Sequence, residues 1–532
     1  MALLEVEDVL QTASVGFWNL KIVFMFCASC LMSATAPMFY PIAFAELDFE
    51  CAKNDSVKNQ CFYQDSNNST VECTTFNYLP GVFDSSARKD FNLACGRSMF
   101  ADLDLSVMLI GQCFSVTVCN FLMDAFGRKP VFNISCCLAA LCSIGYLLAP
   151  SVEVLLLLRW IDCFTLMSLT VSGFLMMVEN LPLKYSVYAT NASEYMYGIG
   201  FFLCALVSYF FRTWRWYVTL RMVIPALLTA LLSLLFIDES PRWLLQRRKF
   251  IEFEKVVKKL FHQNKKEFPP FLAKEIKSMK ELVLPAKDSV SVLKIITAKL
   301  ANVKFWKLYR TNKTAMWMAV MGLSWIANVV VYFGMQFGEE LFGGVEIHFY
   351  FMINGIAEIP GTLFQLYVAK HWGRKPANII SFMLCALSLL ICPLIPKEGY
   401  WVILIYVAAF STRIFISSAF VNIYMWNAEI LPTNLRGVGM GLGSLCGRIV
   451  GIPLPYVKQL SKMWAPLPAF IFAAIAFVAA VASFVVPETR NRISPDDIEE
   501  FEAFGTSKYN ELKQKRLEVL KKKTISNQDT LA

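Results

Sequence analysis

The stretch Asp124-Ala125-Phe126-Gly127-Arg128-Lys129-Pro130 contains a tetrapeptide, Gly-Arg-Lys-Pro, that returns at Gly373 to Pro376. Each copy is followed by the same two landmarks. Glu179-Asn180-Leu181-Pro182 and Glu239-Ser240-Pro241-Arg242 follow the first, and Glu429-Ile430-Leu431-Pro432 and Glu488-Thr489-Arg490 follow the second. The offsets, 373−127=246, 429−179=250 and 488−239=249, stay in register over half the chain, which marks a duplication. Long apolar stretches separate the landmarks, so the repeated unit is a membrane bundle and not a soluble domain.

Composition agrees, since 56% hydrophobic against 17% charged residues is more apolar surface than a soluble core can bury. About 20 apolar residues in a helix rise roughly 30 Å and cross the hydrocarbon layer. Six such spans are expected in the first half, at 17–41, 102–123, 131–149, 154–176, 191–211 and 216–237. Six more are expected at 314–337, 347–369, 377–396, 401–424, 437–457 and 465–486. The fold class is therefore an all-α membrane protein of twelve transmembrane helices in two pseudo-symmetric halves. Residues 1–237 form the first half, 238–312 a connection, 313–486 the second half and 487–532 a tail. The first span is long, follows Glu5, Glu7 and Asp8 and lacks a small-residue cleavage site, so it is not read as a cleavable signal.

Basic residues resist translocation and set the orientation. The connection 238–312 holds 18 Lys/Arg against 8 Asp/Glu, and both Gly-Arg-Lys-Pro turns and the basic tail fall on its side, which is expected to be cytoplasmic with both termini. Segment 42–100, with 5 Lys/Arg and 8 Asp/Glu, is expected outside. It carries Cys51, Cys61, Cys73 and Cys95, together with glycosylation acceptors at Asn54, Asn67 and Asn68. Both features suit an oxidising secretory route, and four cysteines permit three pairings among which the sequence does not choose. The net charge of +9 reflects this sorting and not affinity for nucleic acid.

In this order the features resemble the organic-ion transporter family of the major facilitator superfamily, whose members carry organic anions, organic cations and carnitine. The resemblance rests on the Cys-rich outer loop, Asp124 to Lys129, Glu239-Ser240-Pro241-Arg242-Trp243-Leu244-Leu245, Ala428-Glu429-Ile430-Leu431-Pro432-Thr433 and Pro487-Glu488-Thr489. It implies a plasma-membrane carrier that works by alternating access. Asn120 departs from the family's usual Gly, and Lys370 stands at the position matching Asp124.

Alternating access needs one side held shut by contacts that differ between states. Asp124, Arg128, Glu179, Glu239 and Arg242 in one half face Arg374, Glu429, Arg436 and Glu488 in the other, and could form a breakable inner latch. Helix capping and topology signals are the competing explanation. Arg413 in the tenth span and Arg448 in the eleventh each cost about 2.5–3.5 kcal/mol at a helix centre. Paired guanidinium donors match a carboxylate, so two converging arginines favour an organic anion, unless one of them pairs permanently with Glu358 in the eighth span.

The resemblance points the same way. Arg448 falls where anion and carnitine carriers have Arg and cation carriers have Asp, and Arg413 falls where anion carriers typically have Lys. Thr362, however, stands where many anion carriers have a further Lys, and Glu358 could accept a cationic group, so zwitterions or cations form the alternative substrate class. Tyr332 and Phe333 match an aromatic pattern that in the family contributes to the cavity. Asn328, Tyr332 and Gln336, at i, i+4 and i+8, share one face of the seventh span. Arg159 and Asp162 read as a structural pair, and Arg221 has no evident partner.

The expected partners are a small organic ion, a counter-ion or exchanged dicarboxylate, and the lipid bilayer, with a monomer as the functional unit and no nucleic acid. Three His without metal or triad spacing and no phosphate-binding loop leave no cofactor, metal or catalytic residue to expect. A transporter scaffold turned receptor is the rival from another class.

Overall fold

The computed structural model describes residues 6–52, 57–59, 61–64, 70–79, 81–282, 308–335, 346–432, 435–461, 463–490, 492, 494, 495, 498–509, 511 and 514. Gln336, the acceptors Asn54, Asn67 and Asn68, and the basic Lys521 to Lys523 lie outside the described residues.

Twelve long helices are present among the described residues, each over one expected span. Helix α1 runs Phe17–Ser33 and continues after Ala34 as Thr35–Ala43. Then come α2 (Met99–Phe126), α3 (Arg128–Leu148), α4 (Val152–Asn180) and α5 (Leu183–Phe210). Helix α6 is Trp214–Val218 and Ile224–Phe236 joined by a π-helical turn, Thr219–Val223. The second set is α7 (Asn312–Gly334), α8 (Ile347–His371), α9 (Arg374–Ile391), α10 (Val402–Ile430), α11 (Arg436–Gly451) and α12 (Leu467–Ala482). By length and hydropathy alone nine of these, among the described residues, qualify as membrane spans. The three that fall short are α5, α8 and α11, and these carry Glu194, Glu358 and Arg448.

The duplication persists in the packing. Pairs α1–α5, α2–α4, α3–α4 and α3–α6 recur as α7–α11, α8–α10, α9–α10 and α9–α12. Gly111 on α2 and Gly361 on α8, 250 positions apart (361−111=250), let those helices close on α4 and α10. A Cβ at Gly111 would come within 2.6 Å of Trp160 O, and one at Gly361 within 2.8 Å of Ile414 O. Small residues allow such approach where apolar lipid offers helices no hydrophobic drive to associate.

The segment between α1 and α2 folds over one end of the bundle. Strand β1 (Phe49–Cys51) pairs antiparallel with β5 (Phe76–Tyr78), while β2 (Val57–Asn59), β3 (Phe62–Gln64) and β4 (Thr70–Glu72) form a second sheet. Disulfides join Cys51 to Cys73 and Cys61 to Cys95, which selects one of the three pairings left open by the sequence. At the other end, helices Pro241–Gln246, Phe250–Gln263 and Pro270–Leu282 follow α6, the middle one burying Phe253, Val257 and Leu260. Asp238 ties this region to α1 through Lys21 at 3.0 Å and Lys259 at 2.8 Å. Burial acts to raise the Asp238 carboxyl, yet the two lysines outweigh it and hold the group below its usual range.

Candidate functional site

Both Gly-Arg-Lys-Pro turns build the same clasp. Gly127 and Gly373 have φ of 107° and 110°, a region that glycine enters without strain, and a Cβ on either would collide with the carboxylate of Glu239 or Glu488. Those carboxylates cap the N-termini of α3 and α9. Arg128 N donates to Glu239 Oε1 at 2.9 Å and Arg374 N to Glu488 Oε1 at 2.9 Å. The guanidinium groups repeat the match, Arg128 reaching Glu179 at 2.8 Å and Met123 O at 3.2 Å, Arg374 reaching Glu429 at 2.7 Å and Ala369 O at 3.2 Å. Asp124 adds a 3.5 Å contact to Arg128, while Lys370, its counterpart, is exposed. Burial lifts the Glu239 carboxyl above its usual range, against the pull of the N–H groups of Ser240, Arg128 and Lys129.

These ion pairs close each half on itself. The capping explanation therefore accounts for Glu239 and Glu488 in this conformation, and the pairs of Arg128 and Arg374 do not cross between halves. Arg242 and Arg436 stand partly buried at the same end.

At mid-depth the expected arginines part ways. Arg413 on α10 is fully buried, and its Nη2 donates to Glu358 Oε1 of α8 at 2.5 Å. Tyr332 donates its hydroxyl to the same oxygen at 2.7 Å, and the guanidinium lies over the Tyr332 ring at 3.7 Å and the Phe201 ring of α5 at 4.9 Å. Arg448 on α11 has only neutral partners. Its Nε donates to Gln112 Oε1 of α2 at 3.1 Å, Nη1 donates to Ser444 O at 3.2 Å and to Ser444 Oγ, and Nη2 meets the weak acceptor Met167 Sδ at 3.6 Å. Among the described residues no carboxylate pairs with Arg448.

The other expected positions are buried as well. Asn328 is fully buried and donates to Ser324 O at 3.0 Å, and Phe333 packs edge-on to Tyr332. Thr362 bonds back to Glu358 O at 3.0 Å. Arg159 takes Asp104 of α2, at 2.9 Å, as its nearer partner, with Asp162 at 3.8 Å, so the pair expected within α4 is the weaker half of a triad. Arg221, in the π-turn, reaches Gly200 O at 3.2 Å and Leu31 O at 3.3 Å, tying α6 to α5 and α1.

The sequence reading overlooked Gln112, Ser444, Tyr197, Glu194 and two rings on α10. Phe420 packs 5.3 Å from Tyr332, and Tyr424 packs 4.6 Å from Trp325. A signal for the rings was present, since 413, 420 and 424 are spaced i, i+7 and i+11 on one helix face.

Cross-half packing of any extent, among the described residues, is confined to α5 with α8 and to α2 with α11 and the short helix Leu454–Leu460. The contacts lie between mid-depth and the disulfide end: Ser106 donates to Ile452 O at 2.6 Å, Ser208 meets His348 Nδ1 at 3.0 Å, and Phe83 packs on His348.

The profile of the sugar (and other) transporter family matches residues 53–499. The Drosophila melanogaster "Organic cation transporter protein" is 28% identical over 521 residues, covering 92% of this chain and 93% of that protein. Mouse "Solute carrier family 22 member 6" is 24% identical over 83% of this chain and 78% of its own length. "Organic anion transporter 3" of Oryctolagus cuniculus is 26% identical over 78% of this chain and 73% of its own. Among solved structures, the inward open conformation of the xylose transporter XylE from E. coli superposes with a TM-score of 0.60 at 14% identity, covering 94% of this chain and 99% of that one. With the profile spanning most of the chain and the helices arranged as two matching sixes, this protein belongs to the sugar (and other) transporter family and has the major facilitator fold, a fold of membrane transporters and not of enzymes.

Proposed function

We propose that this protein carries carboxylate-bearing organic ions across the plasma membrane by alternating access, with both termini and the Gly-Arg-Lys-Pro end cytoplasmic. The observation that carries the reading is the Arg448 guanidinium, set at mid-depth, met by no carboxylate among the described residues and hydrogen-bonded across the halves to Gln112. Relatives named for organic-ion transport support the substrate class, and the basic connection supports the orientation.

The geometry suggests how binding would drive the cycle. A substrate carboxylate competes for the Nη2 edge, now held only by a thioether, and for Nε, now held by Gln112. Displacing Gln112 removes a mid-depth tie between the halves, so substrate binding and relative motion share one hydrogen bond. In this reading the present conformation faces the cytoplasm, because its named cross-half contacts lie from mid-depth outward. The clasps at the basic end keep each half stiff while it moves.

The test is uptake of labelled organic anions by cells expressing Arg448→Ala, with surface delivery measured alongside. Transport falls about ten- to a hundredfold at equal delivery, the size of a lost charge-assisted hydrogen bond. Unchanged uptake kinetics would remove Arg448 from the site.

A further inference from the structure

Glu194 lies on α5, partly exposed, and none of the contacts above uses it. Among the described residues its side chain forms no ion pair and no hydrogen bond. Among the described residues, Glu358 at mid-depth is answered by Arg413, and Asp104 nearer the disulfide end by Arg159. An unanswered carboxylate inside a membrane span is costly and marks a functional position.

Its surroundings place it near a group that also neighbours Arg448. Glu194 is close enough to Cys30 of α1, Tyr197 of its own helix, Tyr424 of α10 and Glu358 of α8 to act on them electrostatically. Tyr424 is also within electrostatic reach of Arg448, so one phenol stands near both charges. One helical turn along α5, Gly198 abuts the Glu358 side chain, which fixes Glu194 one turn toward the basic end from that contact. The duplication maps Glu194 onto Ser444 (444−194=250), the residue that receives the Arg448 guanidinium. The acid and the base thus stand at matched depth on equivalent helices of the two halves. Arg413 and Glu358 cancel one another, and Arg221 is spent on the carbonyls of Gly200 and Leu31, while among the described residues neither Arg448 nor Glu194 is paired with an opposite charge.

We propose that Glu194 is the contact for a cationic group on the substrate, so that the site seats a zwitterion with its carboxylate on Arg448 and its ammonium on Glu194 beside the Tyr197 and Tyr424 rings. The inference rests on the Arg448 reading given above and adds the second charge. Aromatic faces beside the carboxylate favour an alkylated ammonium through cation–π attraction.

The experiment uses the full chain in liposomes at neutral pH with three probes of similar length, all ionised there: 4-(trimethylammonio)butanoate, butyltrimethylammonium and butanesulfonate. The unaltered protein takes up the betaine in preference to either singly charged probe. In Glu194→Gln the ratio of betaine to sulfonate uptake falls about ten- to a hundredfold, the size of one charge-assisted hydrogen bond, and Glu194→Asp restores part of it. An unchanged ratio overturns the proposal while leaving the Arg448 reading intact. Sulfonate uptake that survives Arg448→Gln undamaged instead overturns the Arg448 reading, and with it the zwitterion. Loss of stimulation by an imposed proton gradient at constant ratio assigns Glu194 to proton carriage and also overturns the proposal. Competition on the unaltered protein gives a check free of folding effects: the betaine inhibits at least about tenfold more potently than butanesulfonate, and equal potency counts against a cation contact.

Discussion

Arg413 and Arg448 occupy similar depths on neighbouring helices of the same half, yet the first is answered by Glu358 at 2.5 Å and the second by neutral groups alone. The difference lies in what each faces. Arg413 turns into the packing of α7, α8 and α10, with Phe201 of α5 against its outer face, and a charge so buried is tolerable only when paired. Arg448 turns across the boundary between halves, toward Gln112 and Met167 of α2 and α4. On the proposed reading, a charge at the boundary with no carboxylate partner among the described residues is available to a solute, and one paired with Glu358 is scaffold.

The largest effect should come from orphaning the scaffold charge. Glu358→Gln strands Arg413 and is expected to cost about 3–5 kcal/mol, read as a large fall in thermal stability of the detergent-extracted protein. Replacing both partners together, Glu358→Leu with Arg413→Met, should recover most of that loss. A single variant as stable as the parent would erase the distinction between the two arginines. Next in size is Gln112→Leu, which removes the internal competitor for Arg448. Apparent KM for anions should fall about three- to tenfold, within the ~0.5–3 kcal/mol range of such a bond, with little change in stability. A raised KM would show that Gln112 positions the arginine instead of competing for it. The smallest effects belong to the clasps, where Glu239→Gln and Glu488→Gln should each lower stability by about 0.5–2 kcal/mol. Near-equal thermal shifts are expected because the two caps are built alike, and a large inequality would break that equivalence.

Twelve spans and their duplication were legible because hydropathy and the landmark offsets are properties of position along the chain. The midplane arginines were legible for a related reason: a charge in an apolar run is conspicuous whatever it faces. Rotation about each helix axis was not legible. Nothing in the local sequence distinguishes Arg413, turned toward Glu358, from Arg448, turned toward α2. Glu194 escaped notice because its immediate neighbours are polar, Asn191, Ser193, Tyr195 and Tyr197, whereas Arg413 and Arg448 are followed by Ile414-Phe415 and Ile449-Val450. The disulfide pairing depended on strand partners, Phe49–Cys51 with Phe76–Tyr78, that short polar segments do not announce.

The close approach at Gly198 has a mechanical meaning. Gly198 of α5 and Gly355 of α8 bring backbone against backbone: a Cβ at Gly355 would come within 2.5 Å of Phe202 N, and one at Gly198 within 2.9 Å of Gly355 O. With no side chain between them, the two rods touch at a knuckle. His371, sixteen residues farther along α8 (371−355=16), stands roughly 24 Å from that point at about 1.5 Å per residue. A few degrees of tilt at the knuckle therefore become ångströms of opening at the far tip, and a methyl group wedged there would shift the fulcrum before it touched any solute.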